Sequence, residues 1–120
     1  MVFKNQGDLF MVRKKDLIIK TKTKKIVQKY KRVLKSSGIK LDRIVLFGSQ
    51  IDGKAHKDSD IDVCVVSPQF GRDWMKEEIK LKDLAMNVDI RIEPHPYSVK
   101  DFQVEEDPFA FEIKKTGVVI

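Results

Sequence analysis

Two stretches decide the fold: Arg43-Ile44-Val45-Leu46-Phe47-Gly48-Ser49 and, ten residues later, Asp60-Ile61-Asp62-Val63-Cys64-Val65-Val66. The first is a short, nearly unbroken apolar run ending at Gly48, the pattern of a strand covered on both faces. The second is a β-branched run closed by Ser67-Pro68, hence a second strand. The residues between them, 50–59, are polar, contain Gly53 and read as a loop or a short helical turn. Asp60 and Asp62 are two apart, so both point to one face of their strand, while Ile61, Val63 and Val65 point to the other. Cys64 and Val66, farther along the first face, are apolar, which puts the two carboxylates where a buried strand emerges at the end of a sheet. Two like charges about 6.6 Å apart at the backbone repel in a partly dry setting. A divalent cation reverses that cost.

Working outward, Ile26, Val27, Tyr30, Val33 and Leu34 form one stripe of a helix that begins near Thr23, carries lysines on its other faces and stops at Gly38. Trp74, Ile79, Leu81, Leu84 and Ala85 space a second helix over residues 73–86. A third strand is expected over residues 88–92, with Val88, Ile90 and Ile92 on one face and Asp89, Arg91 and Glu93 on the other, ended by Pro94 and Pro96. Phe102 follows, then Phe109, Phe111 and Ile113 in a short helix stopped by Gly117, and a final Val118-Val119-Ile120. The sum is an α/β (α+β) domain, a small mixed sheet with helices packed on it. The domain is placed at residues 23–120, behind a basic preamble over 1–22.

If the third strand lies beside the second, Asp89 joins Asp60 and Asp62 at one spot. An all-oxygen set with room for water suits Mg²⁺ or Mn²⁺ rather than zinc. Gly48-Ser49 supplies the complementary half: glycine lets a backbone approach closely, and exposed N–H groups with a hydroxyl hold phosphate oxygens. The combination points to a triphosphate clamped between a glycine turn and metal ions.

The remaining composition sets limits. At 120 residues and 42% apolar content the chain has room for one core of ordinary size, and no attached second domain. Residues 1–36 carry 12 basic and 2 acidic side chains, a net of +10, whereas residues 37–120 carry 12 and 16, a net of −4, so the overall +6 is local in origin. A single cysteine, Cys64, excludes an internal disulfide framework and multi-cysteine zinc sites, and fits a reducing cytosol. No signal-peptide pattern and no apolar run of membrane-spanning length is present, so the expected compartment is the cytoplasm.

Gly48-Ser49, ten residues, Asp60-Ile61-Asp62 and a later acidic residue, Asp89, together resemble the signature of the DNA polymerase β-like nucleotidyltransferases, and among them the minimal nucleotidyltransferases. The resemblance covers residues 23–120, including Phe109-Ala110-Phe111-Glu112-Ile113-Lys114-Lys115-Thr116-Gly117, which looks like the family's closing helix. It implies that Gly48 and Ser49 bind the β- and γ-phosphates of a nucleotide, ATP by family habit. Asp60 and Asp62 would hold two metals, and Asp89 would hold the catalytic one and help deprotonate the acceptor hydroxyl. Family members commonly carry an arginine in the turn after Gly-Ser; this chain has Gln50-Ile51-Asp52-Gly53 there, and Lys54 or Lys57 could substitute.

The resemblance further implies transfer of AMP to a hydroxyl with release of pyrophosphate. With no domain to hold an acceptor, that hydroxyl belongs to a partner, and members of the minimal group are similar in pairing with HEPN-domain proteins, some acting as antitoxins that adenylylate a tyrosine of the toxin. The alternatives are a non-catalytic module that masks the toxin or senses nucleotide, and a nucleic-acid binder working through the basic N-terminal helix. Self-assembly through the aromatic C-terminal part is a further expectation. Cys64 reads as a buried filler, Arg91 as half of a structural ion pair, His56 and His95 as surface or turn residues, and Trp74, Phe109 and Phe111 as core or interface.

Overall fold

The computed structural model describes residues 19–120. Residues 1–18 of the basic preamble, with Leu17 and Ile18, lie outside the described residues; Ile19 is already buried in the core. Helix α1 (Thr21–Ser36) buries Thr23, Val27, Tyr30 and Leu34, a 4-3-4 spacing that makes one stripe, and the chain turns away at Gly38, whose φ of 88° suits glycine. Strand β1 (Arg43–Phe47) follows, then a four-residue helix α2 (Ser49–Asp52), β2 (Ile61–Val66), α3 (Trp74–Met86), β3 (Ile92–Tyr97), α4 (Val99–Phe102), α5 (Pro108–Thr116) and β4 (Val118–Val119).

The four strands form one sheet in the order β3-β2-β1-β4, with β1 antiparallel to β2 and β4, and β2 parallel to β3. The parallel pair needs a crossover, and α3 provides it. Ile44, Leu46, Ile61, Val63, Val65 and Ile92 pack toward α1 and α3 in the main core, while Val45, Cys64 and Val66 pack on the other side with Phe102, Ala110 and Ile113. This is the mixed sheet with helices that the sequence leads one to expect, and β1 is covered on both faces. The Tyr30 hydroxyl donates to the Leu81 carbonyl at 2.7 Å, tying α1 to α3, a contact worth about 1 kcal/mol net.

Three expectations need correction. The third strand is not residues 88–92: Val88 to Arg91 form the turn after α3, Ile90 is 71% exposed, and the strand begins at Ile92 and runs through both prolines. Pro94 and Pro96 are tolerated because β3 is an edge strand. Arg91 and Tyr97 offer their carbonyls to β2, so positions of that parity face β2 and the proline nitrogens face outward, where no ladder bond is missed. Trp74, Phe109 and Phe111 are exposed rather than core, and so is Ile79, so the buried stripe of α3 is carried by Leu81 and Ala85. His95 belongs to β3 and not to a turn.

Burial, helped by the charge of Asp107, pushes the Cys64 thiol up to about 12, so it stays protonated at neutral pH and fills space. Among the described residues, no helix is long and apolar enough to cross a membrane.

Candidate active site

Asp62 sits at the N-terminal end of β2, paired across the sheet with Phe47 of β1 on one side and Glu93 of β3 on the other. Its parity turns it away from the main core, to the face carrying Cys64 and α5. Asp60 is the exposed residue before the strand and shares that parity. Ile61 N–H donates to the Arg91 carbonyl at 2.8 Å, which fixes the point where β2 enters the sheet.

Gly48 caps the start of α2 with φ 79° and ψ −150°, a backbone conformation open to glycine and strained for other residues. A methyl group at its Cα would stand 2.7 Å from Asp62 Oδ2, so the absence of a side chain at Gly48 makes room for that carboxylate. No side chain caps α2, and the Ser49 hydroxyl has no hydrogen-bond partner among the described residues. The turn expected to hold phosphate thus lies directly against the second aspartate of the Asp-x-Asp pair.

Gln50, only 7% exposed, opens the turn in which the resemblance leads one to expect an arginine. Its amide donates to the Asp60 carbonyl at 3.1 Å and accepts from the Thr23 hydroxyl at 3.2 Å, so it joins α1 to the entry of β2 rather than reaching into solvent. Sequence reading did not assign it this role, since a lone polar residue in a polar loop gives no signal of burial.

Asp89 lies in the turn ahead of β3, and its side chain is taken up by Arg91. Oδ1 accepts from the Arg91 main-chain N–H at 2.9 Å and from Nε at 3.0 Å, while Oδ2 accepts from Nη2 at 2.9 Å. Arg91 Nη1 also donates to the Lys57 carbonyl at 2.7 Å, so the pair clips the β3 entry to the loop before β2. The residue that β-pairing sets beside Asp62 is Glu93, which has the same strand parity as Asp89; parity narrows the choice and register makes it. The Glu93 carboxylate accepts from Lys82 Nζ at 3.0 Å, and the same ammonium is held by the Ile90 and Ile92 carbonyls at 3.3 and 2.6 Å.

An aromatic wall closes one side. The ring centroids of Phe47, His95 and Phe109 lie 5.4–5.6 Å apart, and His95 Nε2 is 3.8 Å from Asp62 Oδ1. Asp107 supports this wall from below: its carboxylate caps α5 through the Phe109 and Ala110 N–H groups and accepts from the Tyr97 hydroxyl at 2.8 Å. Burial first, then that bond, pushes the Tyr97 hydroxyl well above its usual range, so it remains a donor.

Asp60, Asp62 and Glu93 are oxygen donors of one face, the set that a hard divalent cation takes. Among the described residues, no three acidic, imidazole or thiol groups stand close enough together to hold a metal ion between them. What Asp60, Asp62 and Glu93 share is oxygen-donor chemistry and facing, not a formed coordination geometry.

Two carboxylates sit below the usual range: Asp89 chiefly through its hydrogen bonds from Arg91, and Asp107 chiefly through the Ala110 N–H, then the Tyr97 hydroxyl. A depressed folded value confers stability that is complete above the unfolded value of about 3.9 and is lost as pH falls through the folded one. The melting temperature should therefore decline on acidification below about pH 4, and the double variant D89N/D107N should show a shallower acid limb from a lower plateau. Asp107→Ala should cost about 1 kcal/mol at neutral pH, read by denaturant unfolding.

A comparison with curated proteins finds none that matches the chain. The family model described as a nucleotidyltransferase domain matches residues 27–116, which span the glycine turn, the Asp-x-Asp pair and β3. This chain belongs to that nucleotidyltransferase family, of the DNA polymerase β-like superfamily, and is by family a transferase of nucleotidyl groups.

Proposed function

We propose that this chain transfers a nucleoside monophosphate, AMP from ATP, to a hydroxyl, and that the acceptor is a tyrosine of a HEPN-type partner whose toxicity the modification ends. The observation that carries the reading is the seating of Asp62 between the side-chain-free Gly48 turn and Glu93. Asp60 and Asp62 would hold Mg²⁺ or Mn²⁺, and the third carboxylate is Glu93, in place of Asp89, whose oxygens Arg91 already occupies. When bound, the metal supplies Lewis acidity that lowers the pKa of the acceptor hydroxyl and stabilises the charge of the departing pyrophosphate.

Gly48 and Ser49 hold the β- and γ-phosphates, and the aromatic wall shields one side of the site from water. The acceptor oxygen forms a bond to the α-phosphorus as the bond from phosphorus to the bridging oxygen breaks; the hydroxyl proton passes to Glu93. The cytoplasm, where the single buried thiol of Cys64 needs no partner, is the proposed compartment.

The protein partner is supported by apolar residues left in solvent. Trp74, Met75, Ile79 and Met86 on α3, and Phe109 and Phe111 on α5, are all more than two fifths exposed. The same surfaces would serve a module that only masks its partner, or a second copy of this chain, so chemistry must separate the readings. The chain is incubated with ATP labelled at the α-phosphate, Mg²⁺ and the HEPN protein. Label should appear on a tyrosine of the partner and vanish with Asp60→Ala or Asp62→Ala. Neutralisation of the partner that survives both substitutions would make this a masking protein instead.

A further inference from the structure

The main chain of the Asp-x-Asp strand entry has a second neighbour, on the side away from the carboxylates. A cleft of about 310 Å³ lies there, lined by Lys20, Lys22, Thr23, Gln50, Lys57 and Arg91, with Ala55 and His56 closing it. Its charged lining side chains are cationic, Arg91 among them already paired with Asp89, and Gln50, whose amide holds the Asp60 carbonyl, forms part of its wall. The cleft opens at the first turn of α1, and the cationic character continues along that helix. Thr21–Ser36 contains seven basic residues and no acidic one. Lys22, Lys25, Lys29 and Arg32 are exposed at steps of three, four and three residues, which sets them in one row on the outer face.

Among the described residues, none of these four has a carboxylate at ion-pair distance. The row is about 15 Å long, a length that about four nucleotides of one strand would cover at 3.4 Å each. Of the four, Lys22 alone feels a described carboxylate, that of Asp89, at longer range; cations in line repel one another, and an extended polyanion removes that repulsion.

The chemistry of the face distinguishes between polyanions. A protein partner is held by a buried apolar or aromatic anchor surrounded by polar contacts. The outer face of α1 exposes only Thr21, Lys22, Lys25, Gln28, Lys29, Arg32, Lys35 and Ser36, and the cleft adds one alanine as its sole apolar lining residue. Among the described residues, the exposed large apolar side chains lie elsewhere, on α3, α5, β4 and the turns after α3 and α4. A cationic row without an anchor suits a chain of phosphates, which is bound through charge and counterion release.

We propose that the outer face of α1 and the cleft at its first turn form a docking surface for a nucleic-acid backbone, running past the loop that carries Asp60. It goes beyond the transferase reading and holds whichever hydroxyl accepts the nucleotide. The test is fluorescence-anisotropy titration of a labelled oligouridylate with the full chain across a salt series, with polyglutamate as a parallel probe.

Four phosphate contacts to a single strand give a log–log salt slope of about −2.8, so raising salt from about 50 to about 200 mM should weaken binding about 50-fold. The variant K25Q/K29Q should reduce the slope to about −1.4, and the same salt step should then cost about sevenfold. K22Q/R32Q, made on the same row, should do the same, whereas K80Q/K100Q removes equal charge off this face and should leave the slope unchanged. Circular dichroism of each variant establishes that it is folded. No oligouridylate binding at the lowest salt would overturn the proposal. So would equal loss in K80Q/K100Q, which would mean diffuse net charge, or capture of polyglutamate in preference to RNA, which would make the surface one for an acidic protein.

Discussion

Asp62→Asn should slow nucleotidyl transfer by about a thousandfold or more, since a carboxylate that neutralises charge only in the reacting complex contributes several kcal/mol to the barrier. The melting temperature should hold or rise, because the substitution removes a negative charge from a face that also carries Asp60 and Glu93. Glu93→Gln should match it in rate; Lys82 stays anchored by the Ile90 and Ile92 carbonyls, so the local fold survives. Asp89→Asn should behave differently. It breaks the two-toothed pair with Arg91 and should cost about 1–2 kcal/mol of stability, with a rate loss of about tenfold or less, because the pair steadies the loop before β2 while strand pairing sets Glu93 beside Asp62. Single-turnover label transfer and thermal unfolding of the three variants check this. A collapse of rate in Asp89→Asn with Glu93→Gln near wild type would return the third role to Asp89.

Gly48→Ala should be the most damaging change that leaves every carboxylate in place. The new Cβ meets Asp62 Oδ2 at 2.7 Å, and φ of 79° is strained for alanine, so the turn or the aspartate must shift. The backbone strain is worth about 1–2 kcal/mol of stability. A displacement of about 1 Å in a positioned group costs about a hundredfold in rate. On the proposed function, both the KM for the nucleotide and kcat should suffer, because Gly48 would serve the phosphate side while it makes room for Asp62. A variant with unaltered kinetics would show that the turn and the carboxylate act independently.

How much of this was open to reading depends on the range of each interaction. β1, β2 and α1 follow from local rules: a run of apolar residues, β-branched residues closed by Ser67-Pro68, and a stripe repeating every three or four residues. The shared facing of Asp60 and Asp62 follows from parity alone. The place of β3 does not. Residues 88–92 alternate as a strand should, yet Asp89 caps its own turn by accepting from the Arg91 main-chain N–H, and the strand starts later, running through prolines that an edge position excuses. The same limit applies to α3, where Trp74 and Ile79 read as core by hydrophobicity and stand in solvent because only the side holding Leu81 and Ala85 meets the sheet. Gln50 and His95 gained their surroundings only when distant segments closed on them.

The sequence by itself determined the class of fold, the glycine turn and the pair of aspartates on one strand face, because alternation and turn chemistry act between residues a few positions apart. The tertiary structure alone decided which acidic residue lies beside Asp62, since strand register is settled by how α3 packs on the sheet and how far it carries the chain before β3 begins. It also decided that the lysines of α1 stand in a row beside a cleft, a matter of which helix face the core consumes.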